Sequence, residues 1–175
     1  MTRPVVVGFA TMDDWIINIQ TFGKVRFDHT LLEQICRFRQ TDRTFPESGG
    51  ALIGKHLIRG GRMVIDQFTP PQMGDKQGAC MFYRSSAHEK LVQKIWLESN
   101  KISTYVGLWH THPENYPHYS KTDKLDWFKA LNKSIYDGRH LFFIIVGRTH
   151  IRCWMGTKKI IRNSLTVVGE YKIKA

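Results

Sequence analysis

Apolar residues recur with a helical period in three stretches of the chain. The apolar positions after Asp28 predict a helix over residues 30–39, with Asp28 as its N-cap. Two more helices are predicted over residues 86–99 and 120–132. Each follows a serine with an acidic residue three positions later, which is the pattern of a capping box.

Strands are predicted where β-branched and aromatic residues run between turn-forming residues. Residues 141–146 form a continuous apolar run, which is typical of a central strand buried on both faces. The other predicted strands are residues 24–27, 49–58, 63–68, 79–84, 104–109 and 151–154. Residues 160–173 are ambiguous, with Thr166 suggesting a last strand, and residues 1–23 can add a strand or hairpin outside the core. A tight turn is predicted at 59–62 and a loop at 70–78, within one α/β domain.

The composition bounds the class of protein. Hydrophobic residues make up 42% of the chain and charged residues 23%, which is ordinary for a globular protein. No stretch approaches the roughly 18 to 20 apolar residues of a membrane span. Three scattered cysteines do not suggest a disulfide framework, so we expect a cytoplasmic protein. The net charge of +11 favours acidic partners, but the charges are dispersed, and we interpret them as a solvated surface rather than a nucleic-acid site.

The segment from Gly107 to Asp123 carries the candidate chemistry. His110 and His112 follow a predicted strand, and alternate residues of a strand point to the same face. Asp123 lies in the first turn of the helix predicted after Ser120. Two imidazoles and one carboxylate suit a catalytic zinc site, which uses three protein ligands and keeps a fourth position for water. The sequence therefore predicts Zn²⁺ held by His110, His112 and Asp123.

Such a site also needs a base that accepts a proton from the attacking water. The candidate is Glu47, which precedes a predicted strand and is followed by Ser48, Gly49 and Gly50. Residues this small allow another chain to approach closely. His118 is a further candidate ligand, but we expect this loop residue to be solvated or to touch substrate.

These residues resemble the signature of the JAMM (JAB1/MPN/Mov34) metalloprotease family. Glu47, His110, His112, Ser120 and Asp123 stand at the spacing of that signature. The flanking Glu-x-Gly-Gly and Trp-His-x-His-Pro contexts are similar as well. The resemblance is identified over residues 24 to 156, which is most of the chain.

The resemblance implies a fold and a division of the chain. The fold is a single JAMM/MPN domain with a mixed, curved sheet flanked by helices, in a cytidine-deaminase-like layout. On this basis we expect residues 24–175 to form the catalytic domain and residues 1–23 to form an extension packed on it.

The resemblance also implies a reaction, namely metal-assisted hydrolysis of a peptide or isopeptide bond. By this comparison Glu47 transfers the proton of water to the leaving amine, and Ser120 hydrogen-bonds the oxygen that becomes negative. Family members commonly cut after the C-terminal tail of a ubiquitin-like protein, whose terminal glycine is admitted by small residues near the site. Residues 73–83 and 116–119 are candidates for binding such a tail as an added strand.

Residues 69–84 are similar to the stand-alone bacterial JAMM proteins of CBASS antiphage operons. There an E1/E2-like enzyme conjugates the C-terminus of a cGAS-like nucleotidyltransferase to targets, and the JAMM protein removes it, which restrains defence signalling. The resemblance therefore implies an isopeptidase with that class of substrate. Three hypotheses stay open beside it: a JAMM protease that processes a ubiquitin-like or sulfur-carrier protein, an inactive JAMM scaffold for interactions, and a nucleic-acid-binding protein.

Overall fold

A mixed sheet of eight strands forms the centre of the molecule in the computed structural model, which describes residues 11–58 and 62–174. The strands are β1 (Trp15–Ile19), β2 (Gly23–Phe27), β3 (Gly49–His56), β4 (Met63–Phe68), β5 (Lys76–Gly78), β6 (Met81–Tyr83), β7 (Thr104–Thr111), β8 (His140–Val146), β9 (His150–Thr157) and β10 (Ser164–Lys172). The helices are α1 (His29–Cys36), α2 (Ala87–Glu98) and α3 (Lys121–Lys133). The sheet order is β1-β2-β4-β3-β7-β8-β9-β10, and β5 and β6 form a separate hairpin.

Strand β8 divides the core into two layers. Its side chains alternate between the two hydrophobic clusters of the protein, which lie on opposite faces of the sheet. One face holds Phe142, Ile144 and Val146 and packs against α1; the other holds Leu141, Phe143 and Ile145 and packs against α3. The prediction of a central strand buried on both faces is confirmed.

The sheet curls until its two edge strands approach each other. Trp15 of β1 lies 5.7 Å, ring centroid to centroid, from Tyr171 of β10. Gly169 favours this approach, because a Cβ atom there would lie 2.8 Å from Ile17 Cδ1 and the Ile17 side chain would have to shift. The expected mixed, curved sheet flanked by helices is confirmed.

The predicted division of the chain at residue 23 crosses the start of a strand. Residues 15–19 form β1, which pairs antiparallel with β2 at residues 23–27. Trp15 and Ile17 are buried in the same cluster as α1. Residues 1–10, and nearly all of the turn predicted at 59–62, lie outside the described residues. The separate extension stays a prediction.

Three local predictions were wrong. Helix α1 ends at Cys36 rather than near Arg39. The stretch predicted as a loop at 70–78 ends in β5, which pairs with β6, so the strand predicted at 79–84 is shorter than expected. The capping box predicted at the start of α2 does not form, because the Ser86 side chain makes no cap hydrogen bond.

No helix in the described part of the chain is long and apolar enough to cross a membrane.

Candidate active site

Strand β7 brings the two histidines together inside the protein. It lies between β3 and β8, and the N–H of His112 donates to Val146 O of β8 at 3.1 Å. His110 and His112 are 6% and 8% exposed, and their Nε2 atoms lie 3.1 Å apart. The two imidazoles project to the same side, as the alternation of side chains along an extended segment requires.

Asp123 reaches both imidazoles from the first turn of α3. The N–H of Ser120 donates to Asp123 Oδ2 at 2.6 Å, and the N–H of Asp123 donates to Ser120 Oγ at 3.1 Å, which completes a capping box. Asp123 Oδ1 lies 3.1 Å from His110 Nε2, and Oδ2 lies 3.3 Å from His112 Nε2. The two hydrogen bonds that begin the helix therefore also aim the carboxylate at the histidines.

The protonation of these three groups is coupled. Burial disfavours the charge on Asp123, but hydrogen bonds from both imidazoles outweigh it, so the pKa of Asp123 lies well below its usual range. Burial lowers the pKa of His110, although Asp123 opposes this shift. At His112 burial acts in the same direction, but Asp123 outweighs it and the pKa is raised. The cluster therefore contains a carboxylate that stays ionised next to two imidazoles.

The three groups have the chemistry and spacing of a zinc site. The two Nε2 atoms lie 3.1 Å apart, and each has a different oxygen of Asp123 near it, Oδ1 at 3.1 Å from His110 and Oδ2 at 3.3 Å from His112. In a tetrahedral site with ligand bonds of about 2.0–2.2 Å, neighbouring ligand atoms are about 3.3–3.6 Å apart. Imidazole nitrogens and carboxylate oxygens are ligands that zinc accepts. A zinc ion therefore fits these residues with small adjustments of the side chains.

Glu47 lies beside the cluster at the start of β3. Its Oε1 atom is 4.0 Å from His112 Nε2, and the residue is 7% exposed. Burial raises the pKa of the Glu47 carboxyl to about 7, with His112 opposing and Asp123 adding to the shift. A carboxyl group whose pKa lies near neutrality suits proton transfer.

The small residues after Glu47 pack against the protein's own chain. A Cβ atom on Gly50 would lie 2.1 Å from Thr69 O, and one on Gly49 would lie 2.7 Å from the Phe82 ring. The close approach that the sequence predicted therefore takes place within the protein.

A buried amide that the sequence did not reveal joins three segments around the site. Gln40 is fully buried, and its Nε2 donates to Phe45 O and Ala79 O at 3.0 and 2.9 Å. Its Oε1 accepts from Thr111 Oγ1 at 3.0 Å, and that hydroxyl in turn accepts from Ser48 N at 3.0 Å. The network ties the segment of the glutamate, the strand of the histidines and the β5–β6 hairpin together. Gln40 belongs to no sequence motif, so its role can be recognised only in the folded structure.

The loop between His112 and Ser120 borders the site without adding a ligand to it. The N–H of His118 donates to Glu114 Oε2 at 2.9 Å, and among the described residues the His118 ring belongs to neither of the two groups that could hold a metal ion. Tyr119 packs its ring at 5.5 Å from Trp127, which lies 6.0 Å from His110. This loop therefore forms one wall of the site.

The chain matches the prokaryotic homologs of the JAB domain over residues 30–156, which include Glu47, Ser120 and the three candidate ligands. This chain belongs to the JAB-domain family. Members of the family are typically metal-dependent, and His110, His112 and Asp123 form a group that can hold a metal ion. The family match therefore favours a bound metal, and this cluster is a group of residues that can hold one.

Three relatives are each named CD-NTase/cGAS isopeptidase. A protein of Escherichia coli is 35% identical over 73% of this chain and 76% of its own length. A protein of Vibrio cholerae is 32% identical over 78% and 82%, and one of Pseudomonas aeruginosa is 32% identical over 71% and 77%. Together with the JAB domain, these relatives support a hydrolase of the peptidase class.

A solved structure supports the fold. The solution structure of a Desulfitobacterium hafniense protein matches 80% of this chain and 88% of its own, with a TM-score of 0.52 and 16% sequence identity. Such a likeness establishes the arrangement of helices and strands, which is the curved α/β layout described above.

Proposed function

We propose that this protein is a zinc-dependent isopeptidase that releases proteins conjugated to the C-terminal tail of a bacterial cGAS-like nucleotidyltransferase, and so restrains CBASS defence. The observation that carries the proposal is the meeting of Glu47 with the His110, His112 and Asp123 cluster. The names of the three relatives supply the substrate class.

The proposed roles follow from the chemistry of amide hydrolysis. His110, His112 and Asp123 would hold the ion at a position next to Glu47. A zinc ion bound there would supply a Lewis acid that lowers the pKa of a coordinated water from about 15.7 toward 7. Glu47 would hold the proton taken from water and pass it to the leaving amine, for which a pKa near neutrality is suitable.

Ser120 would stabilise the oxygen that becomes negative when the carbonyl is attacked. Its Oγ accepts a hydrogen bond from Asp123 N, which leaves its own O–H available as a donor. Ser120 is an exposed residue, and it is joined by two hydrogen bonds to Asp123 of the ligand cluster. One such donor typically contributes a factor of roughly 100 to 1,000 in rate.

The β5–β6 hairpin is the proposed binding edge for the substrate tail. Glu47 N donates to Gly78 O at 2.8 Å, and Gln77 Nε2 donates to Glu47 O at 2.9 Å, so the hairpin adjoins the base directly. A two-stranded hairpin offers free edges along which an extended peptide can add as a further strand. The tail would thus reach the base from the β3 side of the sheet.

The proposal can be tested with a cGAS-like nucleotidyltransferase that carries a reporter protein fused to its C-terminus. Zinc-loaded protein should cut at the junction, and mass spectrometry should show an intact nucleotidyltransferase C-terminus. Glu47→Gln keeps the size of the side chain but removes its ability to accept the proton, so it should retain zinc and lose cleavage. A ubiquitin-like protein in the same fusion tests the alternative substrate. A zinc-loaded protein that cuts neither fusion, or a Glu47→Gln variant with full activity, would overturn the proposal.

A further inference from the structure

A basic region of the surface includes Tyr119, the residue before Ser120, and lies on the side of β7 away from β3. The sheet order places β3 on one side of β7, and β8, β9 and β10 on the other. Two adjoining depressions of about 370 Å³ each lie between α3, the residues just before it and the β9–β10 pair, and both are lined by Tyr119 and Leu165. We refer to them together as the β10 groove.

The residues that line the β10 groove include cations and, among the described residues, no carboxylate. The cations are Lys124, Arg152, Lys159 and Arg162. Arg152 lies 3.7 Å from Glu170. Within residues 11–58 and 62–174, the other three form no ion pair within 4.0 Å. The groove therefore presents positive charge that the protein itself does not neutralise.

The walls of the groove are built from ordered elements. Tyr119 packs on Trp127 and Trp154 at centroid distances of 5.5 and 5.6 Å. The loop between β9 and β10 is fixed to α3, because Asn163 Nδ2 donates to Asn132 Oδ1 at 2.9 Å. Aromatic and cationic groups on a fixed frame lose less conformational freedom on binding than groups on a free loop.

We propose that the β10 groove binds an acidic segment of the target protein, next to the lysine whose isopeptide bond is cut. This inference rests on the proposed function, because an isopeptide bond has a polypeptide on each side. The tail would bind on the β3 side, so the target protein must leave the site on the other side. Tyr119 of the groove directly precedes Ser120, and a target segment in the groove would therefore adjoin the reacting carbonyl.

The occupant follows from the shape and charge of the groove. β10 is the last strand of the sheet, so an extended polypeptide can lie along Ser164–Leu165 while its acidic side chains meet Lys159 and Arg162. A single-stranded nucleic acid would also satisfy the positive charge, but it contributes no atom to an isopeptide bond. The position beside Ser120 therefore favours an acidic polypeptide.

The decisive experiment varies only the leaving side of the substrate. Three substrates carry the same C-terminal peptide of the nucleotidyltransferase. In two of them the peptide is joined by an isopeptide bond to a lysine, which is flanked by acidic residues in one and by glutamines in the other. In the third the peptide is joined by an amide bond to a small fluorophore. We expect kcat/KM to be at least about tenfold higher for the acid-flanked than for the glutamine-flanked peptide. This advantage should shrink as NaCl rises from about 50 mM to about 300 mM, because salt screens exposed charges.

Reversing the charge of the groove should abolish the higher kcat/KM of the acid-flanked peptide and leave the other two substrates unaffected. Lys159→Glu/Arg162→Glu should cut the acid-flanked peptide no better than the glutamine-flanked one, with fluorophore release within about twofold of wild type. Lys90→Glu/Lys94→Glu changes the net charge equally on α2, which packs against β3 and β7, and should keep the advantage. The proposal would be overturned if Lys159→Glu/Arg162→Glu lowered kcat/KM equally for all three substrates, or if it did not lower kcat/KM for the acid-flanked peptide.

Binding separates this proposal from the proposed function. Fluorescence anisotropy of a labelled acid-flanked peptide with the zinc-loaded protein requires no turnover, and the Lys159→Glu/Arg162→Glu variant should bind at least about tenfold more weakly. If binding behaves so while no substrate is cut, the proposed function fails and the groove assignment survives. If the peptide does not bind, or if a single-stranded oligonucleotide displaces it at far lower concentration than unlabelled peptide, the groove assignment fails.

Discussion

Helices α2 and α3 begin with the same short sequence pattern but with different local structures. Ser86 and Glu89 at the start of α2 have the spacing of Ser120 and Asp123 at the start of α3. Both reciprocal hydrogen bonds form at α3, whereas the Ser86 side chain makes no cap hydrogen bond. Ser86 also has helical backbone angles rather than the extended ones of a capping residue.

A residue from another part of the chain explains the difference. The Asp75 side chain is fully buried at the start of α2, where it accepts from Ser85 N at 2.7 Å and from His88 Nε2 at 2.8 Å. The other ring nitrogen of His88 lies 2.6 Å from Thr69 Oγ1. Asp75 therefore supplies the negative charge that a helix N-terminus favours. A local pattern states which hydrogen bonds can form, and tertiary contacts decide which of them do.

The two helix starts also serve different ends. At α3 the cap orients a carboxylate toward His110 and His112, so a feature of local folding becomes part of the candidate site. At α2 the acidic group joins a buried network within the fold. Substitutions of Ser120 and Asp123 should therefore affect activity, whereas at α2 the effect on stability should come from Asp75 and not from the matching residues Ser86 and Glu89.

The largest effect is expected for Asp123→Ala. The change removes an oxygen ligand together with half of the capping box, so zinc affinity should fall by more than about 100-fold, the upper range for groups that only support a ligand. Cleavage should fall to background. Zinc content after dialysis, measured by mass spectrometry, and cleavage of the reporter fusion test this. Full zinc occupancy in the variant would contradict the assignment of Asp123 as a ligand.

The serines give the next contrast. Ser120→Ala should keep zinc, lower the turnover number by roughly 100 to 1,000-fold and lower the free energy of unfolding by about 1 kcal/mol, because an oxyanion donor and a cap are lost. Ser86→Ala should leave turnover unchanged and alter stability by less than about 0.5 kcal/mol, since that hydroxyl makes no cap bond. Denaturant titrations and single-turnover assays separate the two. A Ser120→Ala variant that loses stability but keeps its turnover number would mean that Ser120 acts as a helix cap alone.

A stability effect is expected at the other helix. Asp75→Asn keeps the shape of the side chain but exchanges one acceptor oxygen for an amide, so a buried donor of Ser85 or His88 loses its partner. The free energy of unfolding should fall by about 1–3 kcal/mol, with zinc binding intact. Urea denaturation measures this, and a change below about 0.5 kcal/mol would show that Asp75 does not support α2.

The stability difference between wild type and Asp75→Asn should depend on pH with a definite sign. Burial opposes the Asp75 charge, but the N–H groups of Gln72 and Ser85 outweigh it, so the pKa of Asp75 lies below 3.8. A lowered pKa in the folded protein contributes stability that is present above 3.8 and is lost as the pH falls through the folded value. The stability gap between wild type and Asp75→Asn should therefore be constant near neutrality and narrow in acid. A gap that widens in acid would contradict this.

A smaller effect is expected for Glu89→Ala than for Asp75→Asn. Glu89 is exposed in the first turn of α2, where a negative charge contributes about 0.3–1 kcal/mol at most. Glu89 is not a proposed metal ligand as Asp123 is, so zinc content and cleavage should match wild type. A loss of zinc in this variant would show that the two helix starts are more alike than the structure indicates.

Much of the fold could be predicted because its strongest signals are local. The unbroken apolar run over residues 141–146 suits only a strand that is buried on both faces, and the structure has β8 there. Strand β6 lies within the strand predicted at 79–84, but β5 and its pairing with β6 could not be predicted, because three residues in a stretch rich in glycine and charge carry no periodic signal. The candidate site divides in the same way. The spacing of His110, His112 and Asp123 is written in a local segment, whereas the network of Gln40 exists only after folding.

The sequence by itself determined which side chains are available for chemistry and which face of each local element they occupy, since both depend on residue type and on the backbone period. Only the tertiary structure decided that Glu47 comes within 4.0 Å of His112, across 65 residues of chain. It also decided that Asp75, rather than Ser86, occupies the start of α2. The physical reason is that burial and hydrogen bonding between distant segments depend on how the whole chain packs, and no local pattern contains that information.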